Sequence, residues 1–478
     1  MTARIRSLIA GIETSWKAQA ILLAAITVMA LGLRLYKLGD WSFWIDEIFT
    51  VQGSRFIGDW RLPRLPIYLV LTRWSTDLLG TSEWSARLLP AIIGGLTPAA
   101  LYWPVKRIFN TPTALLAAFL LAIAPWHLWW SQNARFYALL VLFYNLGLLL
   151  LFIGLENNRL RYILPGLLLL FMAGRERDLG FLFIPVLVVY ILLLLMLPFK
   201  RPAWLRPRNL LLLLLPALVF LVYDAYHFSQ TGSSAVRTFF LYFAGNPIDS
   251  PVRILILILF NIGLPVVALS AFSGVWLASQ KSSAGLFLLT AAVVPIFLLI
   301  GVSAFTFTVD RYALVTLPAW LILAAAALER LASWLPQQGR WLAAATLCIL
   351  AADAGGALLM YYQLNEGNRP DWRGSFQYVA ANMEDEDLIV SVWPEIGHYY
   401  LGDELEIQDL DDIDPAALAG GRRNVWFVVD TESIWFSPLD KKQWMEANAE
   451  LLFVRYLRTR EQLNMKVYHY APAGNAVN

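Results

Sequence analysis

Residues 41–49 read WSFWIDEIF and follow directly on the first long apolar segment. Asp46 and Glu47 stand side by side there, among Trp41, Phe43, Trp44 and Phe49. Ionised carboxylates are costly in or near hydrocarbon, so an acidic pair at a membrane exit marks a functional site. Neighbouring side chains on a helix point about 100° apart, which predicts two roles rather than one clamp. One carboxylate can take the proton from an attacking hydroxyl. The other can orient an acceptor, and together the pair could hold a magnesium or manganese ion.

Outward from this stretch the chain is a membrane protein. Of its 478 residues 58% are hydrophobic and only 15% charged, against roughly 25% in a soluble domain. Spans of the length a bilayer needs are predicted at 18–38, 86–105, 114–130, 136–155, 162–173, 179–197, 210–227, 254–278, 285–305, 312–331 and 342–362, about 11 in all. Leu65–Leu79 is amphipathic and too short to cross comfortably; it reads as a helix at the interface. The net charge of +2 gives no reason to expect nucleic acid. Cys348 lies in an apolar run and reads as a small buried residue. The four histidines show no metal-ligand spacing. The basic N-terminus precedes a long apolar run without a small-residue cleavage site, which predicts a retained first helix.

With the N-terminus in the cytoplasm, Lys106 and Arg107, Arg159 and Arg161, Lys200 through Arg208, Lys281 and Arg340 all fall on the cytoplasmic side, as the positive-inside rule asks. A crossing at Leu65–Leu79 would reverse every later loop. Arg64, Arg87, Arg135 and Arg311 fall on the other side, each at the outer end of an apolar segment. Snorkelling to head groups explains any one of them. Four together point to a shared anion, because the guanidinium fork grips a phosphate in bidentate fashion. Arg135 sits in WWSQNARFYAL, where Ser131, Gln132 and Asn133 add hydrogen-bonding capacity. Gly174–Asp178 reads as a solvated turn, with Arg175 and Glu176 as substrate-side candidates.

From Gln363 the composition becomes mixed and charged. A helix at Trp372–Asn382, β-like runs at 388–392, 424–430, 451–457 and 465–470, and a helix near Lys441–Asn448 predict a small extracytoplasmic α/β domain. The chain thus divides into 1–362, carrying the first outer loop 39–84, and 363–478. Trp393, Glu395, His398 and Tyr399 read as surface and packing, with acceptor recognition a hypothesis for the domain.

Taken together these residues resemble the GT-C membrane glycosyltransferases of family 39, the group of protein O-mannosyltransferases and lipid A aminoarabinose transferases. The Asp-Glu pair after the first helix matches Asp46–Glu47. Arg64-Leu65-Pro66-Ile67-Tyr68 stands where many members carry His- or Lys-Pro-Pro. Gly80, Ser82, Glu83, Arg87 and Leu88 follow the G-x-S-E-x-x-x-R-L pattern, with Pro90 one residue displaced. Pro125–Leu139 follows P-x-x-x-x-x-S-Q-x-A-R-x-Y-A-L. Arg311, Tyr312 and Pro318 match a late R-Y-x-x-x-x-x-P, and Asp371-Trp372-Arg373 matches the opening of an outer domain.

The resemblance implies inverting transfer of a sugar from a polyprenyl-phosphate donor to an acceptor hydroxyl at the outer membrane face. Asp46 would be the base, with Glu47 beside it. Arg64, Arg87, Arg135 and Arg311 would hold the donor phosphate, and Tyr68, Gln132, Tyr137, Arg175 and Glu176 would be further substrate contacts. Two other readings remain open: a transporter or flippase of a lipid-linked anion, and a ligase moving an oligosaccharide from a lipid pyrophosphate. The first predicts two related halves with interrupted helices, and no such repeat is visible.

Overall fold

The computed structural model describes residues 15–56, 66–199, 202, 204–205, 207–232, 250–334, 338–457 and 461–472. Arg64 lies outside them. Among the described residues seven helices are long and apolar enough to cross a membrane, or up to nine if each of two bent pairs is one span. The bent pairs are Thr111–Ile123 with Pro125–Ser131, at 59°, and Pro251–Ile262 with Leu264–Ser279, at 88°. Two further expected spans are helical: Leu160–Glu176, of 17 residues, and Pro207–Thr231. Ile67–Leu79 is a helix of 13 residues, about 20 Å long at 1.5 Å per residue and so short of the roughly 30 Å hydrocarbon core. Its exposed side carries Val70, Trp74 and Leu78, while Thr72, Ser75 and Thr76 are buried. That inverted arrangement suits a helix whose outer side meets lipid. Cys348, expected to be buried, is exposed on Gln338–Leu359, because that helix turns most of its surface outward.

The described residues form two compact units, one drawn from 1–36, 58–71 and 89–355, the other from 37–57, 72–88 and 356–478. In the first, the bend after Ile123 has a clear origin. Pro125 cannot donate to the carbonyl four residues back, and that lost bond must be replaced in a dry interior. Arg34, fully buried on helix Trp16–Leu35, replaces it. Its Nη2 donates to Leu121 O at 3.3 Å and Nη1 to Ala122 O at 2.9 Å. Nη2 also reaches His127 Nδ1 at 2.8 Å. Gly94 packs at this point; a Cβ there would lie 2.1 Å from Ser131 Oγ.

The second unit contains a five-stranded sheet in the order β2-β1-β3-β5-β4. Its strands are β1 (Leu388–Ser391), β2 (Ile407–Asp409), β3 (Val425–Asp430), β4 (Glu450–Arg455) and β5 (Met465–Tyr470). The first three are parallel; β5 runs antiparallel to both β3 and β4. β1 and β3 are buried throughout, as central parallel strands require. Helix Trp372–Asn382 begins at Asp371, whose side chain accepts the Gly374 N–H.

Candidate active site

In the second unit, helix Ile45–Arg55 starts immediately after the extended Trp44 and places Asp46 and Glu47 in its first turn. The positive end of the helix dipole there favours negative charge. The two acids part company. Asp46 is half-buried, whereas Glu47 is fully buried. Arg87, also fully buried, meets Glu47 as a fork, with Nε to Oε1 at 2.8 Å and Nη2 to Oε2 at 2.7 Å. Its remaining donors go to Leu38 O, Trp41 O and Ser42 O, at 3.1, 2.9 and 2.8 Å. All five N–H groups of this guanidinium are thereby engaged. The buried Arg369 adds a second cation, its Nε 3.5 Å from Glu47 Oε2.

This geometry gives Glu47 and Arg87 a scaffolding place. Together they tie the acidic helix to the preceding loop, and Arg87 keeps no N–H for a phosphate. The Glu47 oxygens, forked by one guanidinium and flanked by another, do not fit the coordination of a resident divalent cation. Among the described residues no three His, Cys, Asp or Glu side chains gather as a metal site. Asp46 is the more accessible of the two carboxylates.

In the first unit, the turn after Ser131 is held from within. Gln132 is buried, and its Nε2 donates to Arg34 O at 2.8 Å and Tyr36 O at 2.9 Å. It anchors the turn. Asn133 donates to Trp129 O at 2.7 Å. The turn presents Arg135 beside a block of aromatic rings. Trp130 lies 4.3 Å from Tyr137 between centroids, and Tyr137 lies 4.3 Å from Phe136. Tyr68 meets Phe136 edge-on at 5.7 Å.

Three arginines from distant parts of the sequence converge on this block. Arg135 and Arg177 both lie over Phe136, at 5.4 and 5.5 Å, and Arg311 lies over Trp130 at 5.6 Å. Tyr312 and Tyr137 face the Arg177 guanidinium, with Tyr312 as a hydrogen-bond partner. The ring faces attract the cations and gather three positive charges on one aromatic block. Glu176 is buried and accepts Ile67 N–H at 2.7 Å and Tyr68 N–H at 3.0 Å. It therefore caps helix Ile67–Leu79 and sets Tyr68 against the rings. Arg175 points elsewhere, over Tyr223 at 5.4 Å.

Of the run Gly174–Asp178 the sequence expectation singles out Arg175 and Glu176, not Arg177. The helix ends at Glu176, and the Arg177 backbone is extended. That turn sends Arg175 and Arg177 apart.

Residues 63–227 match the sequence family described as dolichyl-phosphate-mannose-protein mannosyltransferase. A comparison with curated proteins finds no match. ArnT from Cupriavidus metallidurans in the apo state superposes with a TM-score of 0.62 at 17% identity, over 95% of this chain and 98% of that one. The same protein bound to undecaprenyl phosphate gives 0.61 at 16%, over 97% and 100%. The archaeal oligosaccharyltransferase AglB from Archaeoglobus fulgidus, with an inhibitory peptide and a dolichol-phosphate, gives 0.58 at 12%, over 91% and 73%. The chain has the GT-C glycosyltransferase fold. With the family match, this bears out the resemblance to family 39 that the motifs carry, and the chain is an integral multi-pass membrane protein.

Proposed function

We propose that this family 39-type glycosyltransferase moves a single sugar from a polyprenyl-phosphate donor to an acceptor hydroxyl on the extracytoplasmic face, with inversion. Its N-terminus is cytoplasmic and its α/β region lies outside. The observation that carries the reading is the gathering of Arg135, Arg177 and Arg311 on one aromatic block. The positive charge gathered there would attract a lipid phosphate, with Tyr68 and Tyr137 beside it. The undecaprenyl phosphate of the ArnT structure and the dolichol-phosphate of the AglB structure support such a donor.

In the reaction Asp46 takes the proton of the acceptor hydroxyl as its oxygen attacks the anomeric carbon. The bond from that carbon to the phosphate oxygen breaks, and polyprenyl phosphate leaves with the electron pair. Arginines aimed at the departing phosphate stabilise the charge that develops there, usually the largest single term in such catalysis. Two adjacent acids then have separate work, Asp46 at the substrate and Glu47 in the scaffold.

The test is to incubate the purified protein with a panel of polyprenyl-phosphate sugars and monitor polyprenyl phosphate release, beside the Asp46→Asn variant. One donor should be consumed, and Asp46→Asn should lower turnover by about 10² to 10⁴ with unfolding temperature unchanged. Near-normal turnover by Asp46→Asn sinks the base assignment. Consumption of a lipid pyrophosphate oligosaccharide alone would favour the ligase reading.

A further inference from the structure

At the entry to the Asp46 helix, residues beyond 356 add to the hold that Arg87 has on the Trp41 and Ser42 carbonyls. Trp41 packs on Tyr361 and Tyr362, with ring centroids 5.2 and 5.9 Å away. Gly367, at φ +67°, lets the chain pass against that indole; a Cβ there would lie 2.3 Å from the Trp41 ring. Ser42 Oγ accepts the Arg373 N–H at 3.0 Å and donates to Asp371 Oδ1 at 3.3 Å. Phe43 is fully buried, with Tyr399 edge-on at 5.2 Å. The Phe43 N–H donates to Tyr400 Oη at 2.8 Å.

Tyr400 passes this contact on. Its O–H donates to Glu83 Oε1 at 2.8 Å, and Arg373 Nη2 donates to the same oxygen at 2.6 Å. Burial, and Glu83 beside it, push the phenol well above its usual range, so it stays a donor at any working pH. A chain of charge-assisted bonds of this kind is strong and directional. Three successive residues, 41 to 43, are thus each gripped just before the helix that carries Asp46.

We propose that Tyr400 is a positioning residue for Asp46: with Glu83 and Arg373 it fixes the Phe43 backbone, and through it the aim of the Asp46 carboxylate. The α/β region then serves catalysis by holding the base, whatever it contributes to acceptor recognition. This rests on Asp46 being the base. A displacement of about 1 Å in a reacting group can lower a rate a hundredfold. Losing one hydroxyl at the end of this chain of contacts should therefore be felt in turnover and not in donor binding.

The experiment is a double-mutant cycle on the full-length protein. Tyr400→Phe keeps the ring and removes the hydroxyl. In the native background, kcat per donor-binding site should fall about tenfold to a hundredfold, with donor KM unchanged. In an Asp46→Glu background the carboxylate is already displaced by a methylene, and Tyr400→Phe should add little. Losses that multiply in both backgrounds, or a kcat per site that stays normal while unfolding temperature drops, overturn the proposal. Arg373→Lys should recover part of the rate lost in Arg373→Ala, since the ammonium can still reach Glu83. Should Tyr400→Phe fail to accumulate in the membrane, Glu83→Gln runs the same cycle. A normal rate for Asp46→Asn would instead discard the base reading itself, and with it the premise.

Discussion

Arg87 of the second unit and the arginines on the aromatic block of the first are used in different ways. In the second unit Arg87 is fully buried, forks Glu47 and caps three carbonyls, so every N–H is engaged. In the first, Arg135, Arg177 and Arg311 lie against ring faces. A guanidinium enclosed by acceptors is part of the scaffold. One laid on an aromatic ring is positioned by the ring's π face. Residue type and position relative to the membrane do not separate these cases; the surroundings of each side chain do.

The sharpest break of this contrast is Arg87→Ala. Leaving Glu47 buried without its fork should cost about 3 to 5 kcal/mol, enough to remove most folded protein in a detergent unfolding assay. Arg87→Lys should not restore it, since an ammonium offers three donors where five are used. A stable Arg87→Ala protein that had lost donor binding would return Arg87 to the phosphate.

Next come Arg177→Ala and Arg135→Ala. Each should lower turnover roughly a hundredfold while the unfolding temperature holds. Unchanged turnover together with unchanged donor affinity would show that the aromatic block serves packing alone.

The smallest effect contrasts two buried carboxylates. Glu47 has guanidinium partners, whereas Asp430, at the end of β3, is held by the Glu432 and Ser433 N–H groups. Burial pushes its carboxyl up to about 6. A raised folded-state value means the protonated form stabilises the fold. That stability is fully present below about pH 4 and is lost as pH rises through about 6. Asp430→Asn should therefore raise stability at pH 8 by on the order of 1 to 3 kcal/mol and flatten the loss between pH 4 and 6. A variant less stable than the parent at pH 8 would show that the ionised oxygen is needed by its two N–H donors.

Much of the fold is legible in the sequence because its signals are long. Eleven apolar runs appear as helices or bent helix pairs, and Trp372–Asn382 and Met465–Tyr470 coincide with the expected segments. β2, of three residues, is too short for alternation to show, and helix Pro394–Leu401 is hidden in an aromatic-rich stretch. The site is legible by residue type and less so by role. Asp46 and Glu47 look alike in sequence, and only the Arg87 fork separates them. Gln132 and Glu176, read as substrate contacts, prove to satisfy backbone groups. Such roles depend on carbonyls and N–H groups about 96 to 109 residues away, which no local pattern reports.

Arg34 carries a consequence for biogenesis. It belongs to helix Trp16–Leu35 and donates to Ala30 O within it, yet its other two carbonyl partners are 87 and 88 residues further along the chain. A ribosome finishes that helix well before Leu121 and Ala122 emerge. Until they do, the nascent segment must hold a cation in the translocation channel or at the lipid boundary, so its final seating waits for a later one. Insertion of this protein is therefore not a sequence of independent helices: Trp16–Leu35 is completed by a successor.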